Sequence, residues 1–172
     1  MERPEIQVLT AVTTQRPKDI IDPAIFSSWR KLVRVTARIS RLAAKIRLRK
    51  HTQRGITGPL SSEELQQAEL YWIKKAQNTL HSRPERGDFK SLSPFKDEKG
   101  IIRVGGRIDK AVVTYEERHP ALLPSDHRIS QMITRHMHTY GHCGVAATTA
   151  KVRRKYWFLK ANKLNKSITT SV

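Results

Sequence analysis

The feature that most constrains the fold of this chain is a helical pattern, rich in histidine, that two glycines interrupt. Apolar residues recur every three or four positions over residues 129–140, which indicates one face of an amphipathic helix. Gly141 and Gly144 end this pattern, and a second, basic helical pattern follows over residues 145–157. Helix, tight turn and basic helix is the order of a helix-turn-helix unit. A further helical pattern over residues 161–170 predicts that residues 125–172 form a small three-helix unit.

Two helical patterns in the first half of the chain predict a helical hairpin over residues 22–80. Asp22 and Pro23 suit the start of the first helix, as N-cap and first helical residue. Ser61 and Glu64 have the spacing of a capping box, which predicts the start of a second helix that runs to about residue 80. Residues 1–21 carry short apolar patches between polar residues and predict an extended leader.

The periodicity changes in the middle of the chain. Residues 81–91 are polar and contain proline and glycine, which predicts a linker. Beyond it, a turn from Asp97 to Gly100 followed by β-branched residues predicts a β-hairpin, and residues 112–114 and 119–124 add two short extended segments. These patterns predict short strands over residues 92–124, within an α+β fold that is mostly helical.

The charge balance indicates a polyanionic partner. Lysine and arginine number 33 against 15 acidic residues, which gives a formal net charge of +18. Nucleic acid is the polyanion that such a protein most often meets, because each phosphate contact releases counterions. No segment approaches the roughly 18 consecutive apolar residues of a spanning helix, and the N-terminus lacks the apolar run of a secretory signal. We therefore expect no membrane partner and an intracellular location, with nucleus and cytoplasm both open.

Basic residues concentrate on two of the predicted helices. An ordinary solvated face is one interpretation of this pattern, and a surface that contacts duplex DNA phosphates is the other. The basic residues lack acidic residues four positions before or after them with which to form ion pairs, and this favours the phosphate surface. The residues expected to contact nucleic acid are Arg34, Arg38, Arg41 and Lys45 on the first helix, and Lys151, Arg153, Arg154 and Lys155 on the helix after the glycine turn.

We predict that the chain is not an enzyme and has no small-molecule substrate. Two-metal phosphoryl chemistry needs clustered carboxylates. Here Asp97 and Glu98 lie in the predicted turn, whereas Glu116 and Glu117 lie in a predicted solvated loop. The glycines at 105 and 106 match neither phosphate-loop pattern and indicate a strand-end turn or bulge.

The histidines raise the question of a metal site. His138 and His142 are four residues apart, a spacing that lets two imidazoles converge on one ion, although such pairs are often surface or capping residues. His136 lies on the apolar face and is better explained as a core or interface residue. Cys143 is the single cysteine, which excludes an intramolecular disulfide and a four-cysteine zinc site. We interpret Cys143 as a small buried residue.

Several segments closely resemble the BEL/Pao-type retrotransposon polyprotein, in the part that leads into its integrase. They occur in order along nearly the whole chain from about residue 20. The matching segments are residues 29–37, LSSEELQQAE at 60–69, WIKKAQ at 72–77, GIIRVGGR at 100–107, HPALLP at 119–124, GHCG at 141–144 and RKYW at 154–157.

The resemblance implies that residues from about 126 onward are similar to the His-His-Cys-Cys zinc-binding domain of integrase, a small three-helix unit that assists oligomerisation and the binding of element-end DNA. His138 and His142 match the histidine pair, and His136 is an alternative to His138. In that family the first cysteine falls roughly thirty residues after the second histidine, and this sequence has no cysteine there. The second family cysteine and the acidic catalytic core have no counterpart here either. The resemblance therefore implies a fragment, whether truncated, decayed or reused.

An incomplete ligand set predicts weak zinc binding. Structural zinc supplies on the order of 10 to 16 kcal/mol in finger-type peptides, and loss of two of four ligands forfeits most of it. The leading functional hypothesis is a non-catalytic nucleic-acid-binding fragment of the integrase region, in the context of DNA integration. The alternative hypotheses are a non-functional remnant of a decayed element and an oligomerisation or interaction module. That module would self-associate through a partly exposed stripe of Phe26, Trp29, Leu32, Ile39 and Trp72.

Overall fold

The computed structural model describes residues 21–47, 58–80, 92–105, 113–139 and 144–158. Within these ranges, five α-helices and a four-stranded sheet confirm the α+β, mostly helical fold. Most of the predicted leader, the linker at 81–91 and the helix at 161–170 lie outside the described residues. The elements in chain order are α1 (Trp29–Arg47), α2 (Ser62–Asn78), β1 (Pro94–Lys96), β2 (Ile102–Val104), α3 (Tyr115–Arg118), β3 (Ala121–Leu123), α4 (Arg128–Thr139), α5 (Val145–Arg153) and β4 (Tyr156–Phe158).

The first helix begins later than the sequence predicts. The Asp22 carboxylate does accept a hydrogen bond from the backbone of Ala24, at 2.8 Å, but it caps only a single 3-10 turn over Pro23–Ile25. Phe26 then adopts an extended conformation and its side chain is buried in the core. The predicted start at Pro23 is therefore wrong, because burial of Phe26 interrupts the helical path before Trp29.

The helices α1 and α2 pack against each other and are joined by one buried polar contact. The indole N–H of Trp72 donates to the Thr36 hydroxyl at 2.8 Å, and this hydroxyl donates to the Leu32 carbonyl at 2.9 Å. The capping box that begins α2 is confirmed, since Ser61 and Glu64 bond each other's backbone amides. Thr36 thus satisfies the one polar atom of a large buried aromatic side chain.

The sheet has the strand order β1-β2-β3-β4. The hairpin of β1 and β2 turns at Asp97 to Gly100 as predicted, and β3 pairs antiparallel with β2 but parallel with β4. Buried Gln77 ties α2 to this sheet, because its amide donates to the carbonyls of Ile102 and Leu122 at 2.7 and 2.8 Å and its oxygen accepts from the Ile102 backbone at 2.9 Å.

The helix predicted over residues 145–157 ends at Arg153, and its last part is wrong. Residues 156–158 form β4, in which Tyr156 and Phe158 belong to the main core whereas Trp157 packs against a smaller cluster with Leu122. This alternation has the period of a strand. Three consecutive aromatic residues also favour an extended conformation. In this conformation the backbone of β4 pairs with the backbone of β3.

A second difference concerns residues 112–118, for which the sequence predicts an extended segment and then a solvated loop. The described part instead forms the short helix α3, which Thr114 caps through a capping box with Glu117. Glu116 and Glu117 therefore lie in the first turn of a helix, where their charges suit its N-terminus.

The predicted segments contribute to one hydrophobic core. Side chains of α1, α2, β3, α4, α5 and β4 belong to the same buried cluster. The interaction stripe proposed from the sequence is consequently wrong for four of its five members: Phe26, Trp29, Leu32 and Trp72 are at most 9% exposed, and Ile39 alone reaches 36%. Among the described residues, no helix is long and apolar enough to cross a membrane.

Candidate nucleic-acid interface

The first half of α1 has a basic exposed face. The helix contains no acidic residue, and Arg30, Arg34 and Arg38 are exposed at intervals of four residues. At 1.5 Å per residue, this spacing places successive arginines about 6 Å apart along the axis. Trp29, buried on the opposite side, holds the helix against the core. The fold therefore places a row of three arginines on the surface of the first half of α1.

The first cation of this row lies in a groove that α4 and α5 also line. Arg30 shares the groove with His136 and Met137 of α4 and with Lys151 of α5. Arg154 and Lys155, which directly follow α5, also line it. The open volume is about 500 Å³. We call this feature the basic groove. It brings together the two basic helices that the sequence singles out. Arg30 belongs to the basic face predicted for the first helix, although it is not among the residues expected to contact nucleic acid.

Carboxylates partly neutralise Arg154 and Lys155 of the basic groove. Arg154 lies 2.5 Å from Glu117, and its hydrogen bond is the main reason why the pKa of Glu117 is below its usual value. Lys155 lies 2.8 Å from Glu69 and 3.9 Å from Glu116. Arg154 is still 73% exposed, so the pair is a surface ion pair that contributes little to stability. The fold thus brings Glu69 and Glu116, which are far apart in the sequence, to the same Lys155 ammonium.

Lys155 also belongs to a buried polar network. Tyr156, which is 1% exposed, donates its hydroxyl to the same Glu69 carboxylate oxygen that Lys155 contacts. Burial and then the charge of Glu69 raise the pKa of Tyr156 well above its usual range. These contacts fix the position of Lys155 at the back of the basic groove.

The remaining predicted contacts divide into exposed and engaged residues. Arg41 binds both carboxylate oxygens of Glu64 and donates to the carbonyls of Gly58 and Pro59 at 2.9 Å each, so it joins α1 to the start of α2. Lys45 is half-buried on the same helix. Arg153 is exposed and stacks over Trp157, with 5.4 Å between the guanidinium carbon and the ring centroid.

His136 and His138, the two candidate ligands within the described residues, have different neighbours. His136 lines the basic groove, and its burial, together with the charge of Arg30, lowers its pKa. The Nδ1 atom of His138 lies 3.2 Å from the hydroxyl of Thr148 on α5. His138 therefore faces the second helix of the predicted helix-turn-helix unit, whereas its alternative His136 faces α1.

The donor set for zinc is incomplete within the described residues. There, no group of three or more His, Cys, Asp or Glu side chains could hold a metal ion, and His142 and Cys143 lie outside those ranges. Metal-binding histidines commonly bind through one ring nitrogen while a polar neighbour holds the other. The contact with Thr148 gives His138 this arrangement, with Nε2 as the atom that would meet the metal. Weak zinc binding stays a prediction.

The comparisons with known proteins add no relative. No family model matches the chain, and searches among curated proteins and among solved structures return no match.

Proposed function

We propose that this chain is a non-catalytic nucleic-acid-binding module that contacts the phosphate backbone of duplex DNA through the basic groove and the exposed face of α1. The supporting observation is the convergence of Arg30 with Lys151 and Arg154 on one open groove, which the arginine row of α1 extends. Contacts of this kind position a protein on DNA without reading its sequence. The resemblance to the BEL/Pao integrase region supports DNA integration as the context.

Arg41 is not part of the proposed surface, because Glu64 and two carbonyls already engage its guanidinium. Exposed Arg34 and Arg38 of α1 and half-buried Lys151 of the basic groove supply the proposed contacts, whereas Arg153 stacks over Trp157 and does not line the groove. Arg154 contributes through the part of its guanidinium that Glu117 leaves exposed, and Lys155 contributes mainly to the shape of the groove.

Salt-dependent binding tests this proposal. Fluorescence anisotropy with a labelled duplex between 50 and 200 mM salt should give a straight plot of log affinity against log salt concentration, with a negative slope of about 0.9 for each neutralised phosphate. The variants Lys151→Gln and Arg34→Gln should each weaken binding to unrelated duplexes alike and reduce that slope by about one.

Lys74→Gln provides the matched control. Lys74 is exposed on α2 and does not line the basic groove, and its substitution removes the same charge as Lys151→Gln. If Lys74→Gln weakens binding as much as the groove variants do, only the net charge matters and the proposed surface is wrong. Affinity that does not change with salt would reject the electrostatic basis altogether.

A further inference from the structure

Three rings form an exposed aromatic cluster between the hairpin and α3. The ring centroids of Phe95 and His119 lie 5.1 Å apart in an edge-to-face arrangement, and those of Tyr115 and His119 lie 5.1 Å apart at 55°. Phe95 is 37% exposed and Tyr115 is 51% exposed. We call this feature the aromatic shelf. It lies outside the basic groove, and the proposed duplex contacts make no use of it.

Buried Arg103 holds the shelf from beneath. Its guanidinium donates to the Asp97 carboxylate at 2.5 Å and to the carbonyl of His119 at 2.8 Å, and its central carbon lies 5.2 Å from the Tyr115 ring centroid. Arg103 is 6% exposed, so one face of Tyr115 rests on a fixed cation. Arg103 therefore positions the Tyr115 ring and the backbone of His119 before any ligand arrives.

Phe95 is held by the backbone around Gly105. A Cβ atom at Gly105 would lie 2.8 Å from the Ser93 carbonyl oxygen and 3.4 Å from a carbon of the Phe95 ring. A glycine at this position lets the hairpin backbone approach closely, and the Phe95 ring packs into the space. The ring consequently lies beside the sheet with part of its surface in solvent.

The surroundings of the shelf favour a ligand that is both aromatic and anionic. Phe95 and Tyr115 line an open cleft of about 370 Å³ together with Lys96, Lys99, Asp97 and Glu98. The Asp97 carboxylate is committed to Arg103 and to the backbone of Ile101, which leaves exposed Lys96 and Lys99 against the single exposed Glu98. Exposed rings beside lysines are the combination with which proteins bind unpaired bases and their phosphates.

We propose that the aromatic shelf binds single-stranded nucleic acid by stacking unpaired bases on Phe95 and Tyr115. This inference rests on the proposed function, to which it adds the class of ligand: nucleic acid with an unpaired segment next to a duplex. Every base has a π-face, so the shelf accepts bases without strong sequence preference. Duplex DNA keeps its bases stacked internally and engages the basic groove alone.

Three labelled probes of equal length separate stacking from charge: a single-stranded oligonucleotide, the same strand with abasic sites throughout, and a duplex. Phe95→Ala and Tyr115→Ala should each weaken binding of the single strand by about five- to 150-fold, the range that loss of one stacked base produces. Binding of the abasic strand and of the duplex should change less than twofold. Tyr115→Phe and Phe95→Tyr keep the rings and should retain the affinity of the unsubstituted chain.

The outcomes distinguish this inference from the proposal on which it rests. If the alanine variants bind the single strand as tightly as the unsubstituted chain does, the shelf is not a stacking site, while groove variants that lose duplex binding leave the proposed function intact. Equal losses on all three probes would also overturn stacking. A chain that binds none of the probes rejects both proposals. Circular dichroism on each variant checks that the fold persists.

Discussion

At the scale of single residues, Glu64 has two structural roles. Its carboxylate accepts a hydrogen bond from the Ser61 backbone at 2.8 Å, which completes the capping box of α2, and it binds Arg41 of α1. The hydrogen bond from Arg41, followed by that from Ser61, lowers the pKa of Glu64 from its ordinary 4.5 to about 2. The ionised carboxylate therefore stabilises the folded chain above pH 4.5, and this stabilisation is lost as the pH falls through about 2.

Glu64→Gln should lower the thermal midpoint at pH 7, because Gln keeps the size of the side chain but not its charge. The difference between the two proteins should shrink as the pH falls from 4.5 towards 2, where Glu64 itself becomes neutral. Thermal unfolding followed by circular dichroism over that range measures it.

Arg41→Gln is the control for this prediction. In the Arg41→Gln background the main cause of the lowered pKa is gone, so Glu64→Gln should have a smaller effect on the acid part of the stability profile. Parallel profiles for the unsubstituted chain and Glu64→Gln would contradict the account.

The two residues of this ion pair also show what the sequence can and cannot predict. The spacing of Ser61 and Glu64 is local, so the capping box was predictable and is confirmed. Arg41 meets Glu64 from 23 residues away, and no local pattern indicates that contact. The position of Arg41 on a basic face predicted a phosphate contact. Its guanidinium instead binds Glu64 and the carbonyls of Gly58 and Pro59 and so joins α1 to the start of α2.

At the scale of secondary structure, the hairpin of β1 and β2 depends on the backbone of its turn. Gly100 has a φ of +76°, a conformation that side chains with a Cβ disfavour. Its amide donates to the Asp97 carbonyl at 2.8 Å, and the Asp97 backbone amide in turn bonds the Ile101 carbonyl at 2.9 Å. The turn next to Phe95 of the aromatic shelf is thus closed by a glycine in the left-handed conformation.

Gly100→Ala should destabilise the chain by roughly 1 kcal/mol, the cost of holding an L residue in the left-handed region. The urea midpoint measures the change. Gly144→Ser is the control, because Gly144 has a φ of −56° with no heavy atom within 4 Å of an added Cβ, so the substitution should change the midpoint little. Equal shifts in both variants would mean that the backbone conformation of Gly100 is not the cause.

The strands differ in how well their sequence predicted them. The turn residues from Asp97 to Gly100 are a local signal, and the hairpin predicted from them is confirmed. Residues 156–158 directly follow a helical pattern, and a short apolar run fits a helix and a strand equally well. What decides between them is the pairing with β3, which begins 35 residues earlier at Ala121, opposite Tyr156. That contact is non-local, so periodicity could not reveal it.

At the scale of the whole molecule, one core connects segments that the sequence divides at residues 81–91 and 124–125. Leu123 of β3 and Ile129 of α4 are fully buried in the same cluster as Trp72 of α2. Glycine, proline and polar runs mark where elements end, but they do not show whether the elements on either side share a core. The described segments on either side of these boundaries consequently depend on each other for burial of their core side chains.

Leu123→Ala should destabilise the whole molecule by about 2–5 kcal/mol, as expected for truncation of a fully buried leucine. Because the core is shared, amide hydrogen exchange should accelerate in α2 and in α4 together. Mass spectrometry of peptides from each helix measures this. If the α1 and α2 pair kept its protection while α4 lost it, the two regions would be separate folding units.

The parallel pairing of β3 with β4 has a consequence for how the protein is made. The buried faces of α1 and α2 include Trp29, Trp72 and Ile73, and they share their core with Tyr156 and Phe158. Chains leave the ribosome N-terminus first, and domains generally fold as units. The helical pair therefore emerges long before the strand that completes its core. Until Phe158 has left the ribosome, β3 lacks the strand with which it pairs in parallel, and we expect the nascent chain to expose apolar core surface and to need chaperones.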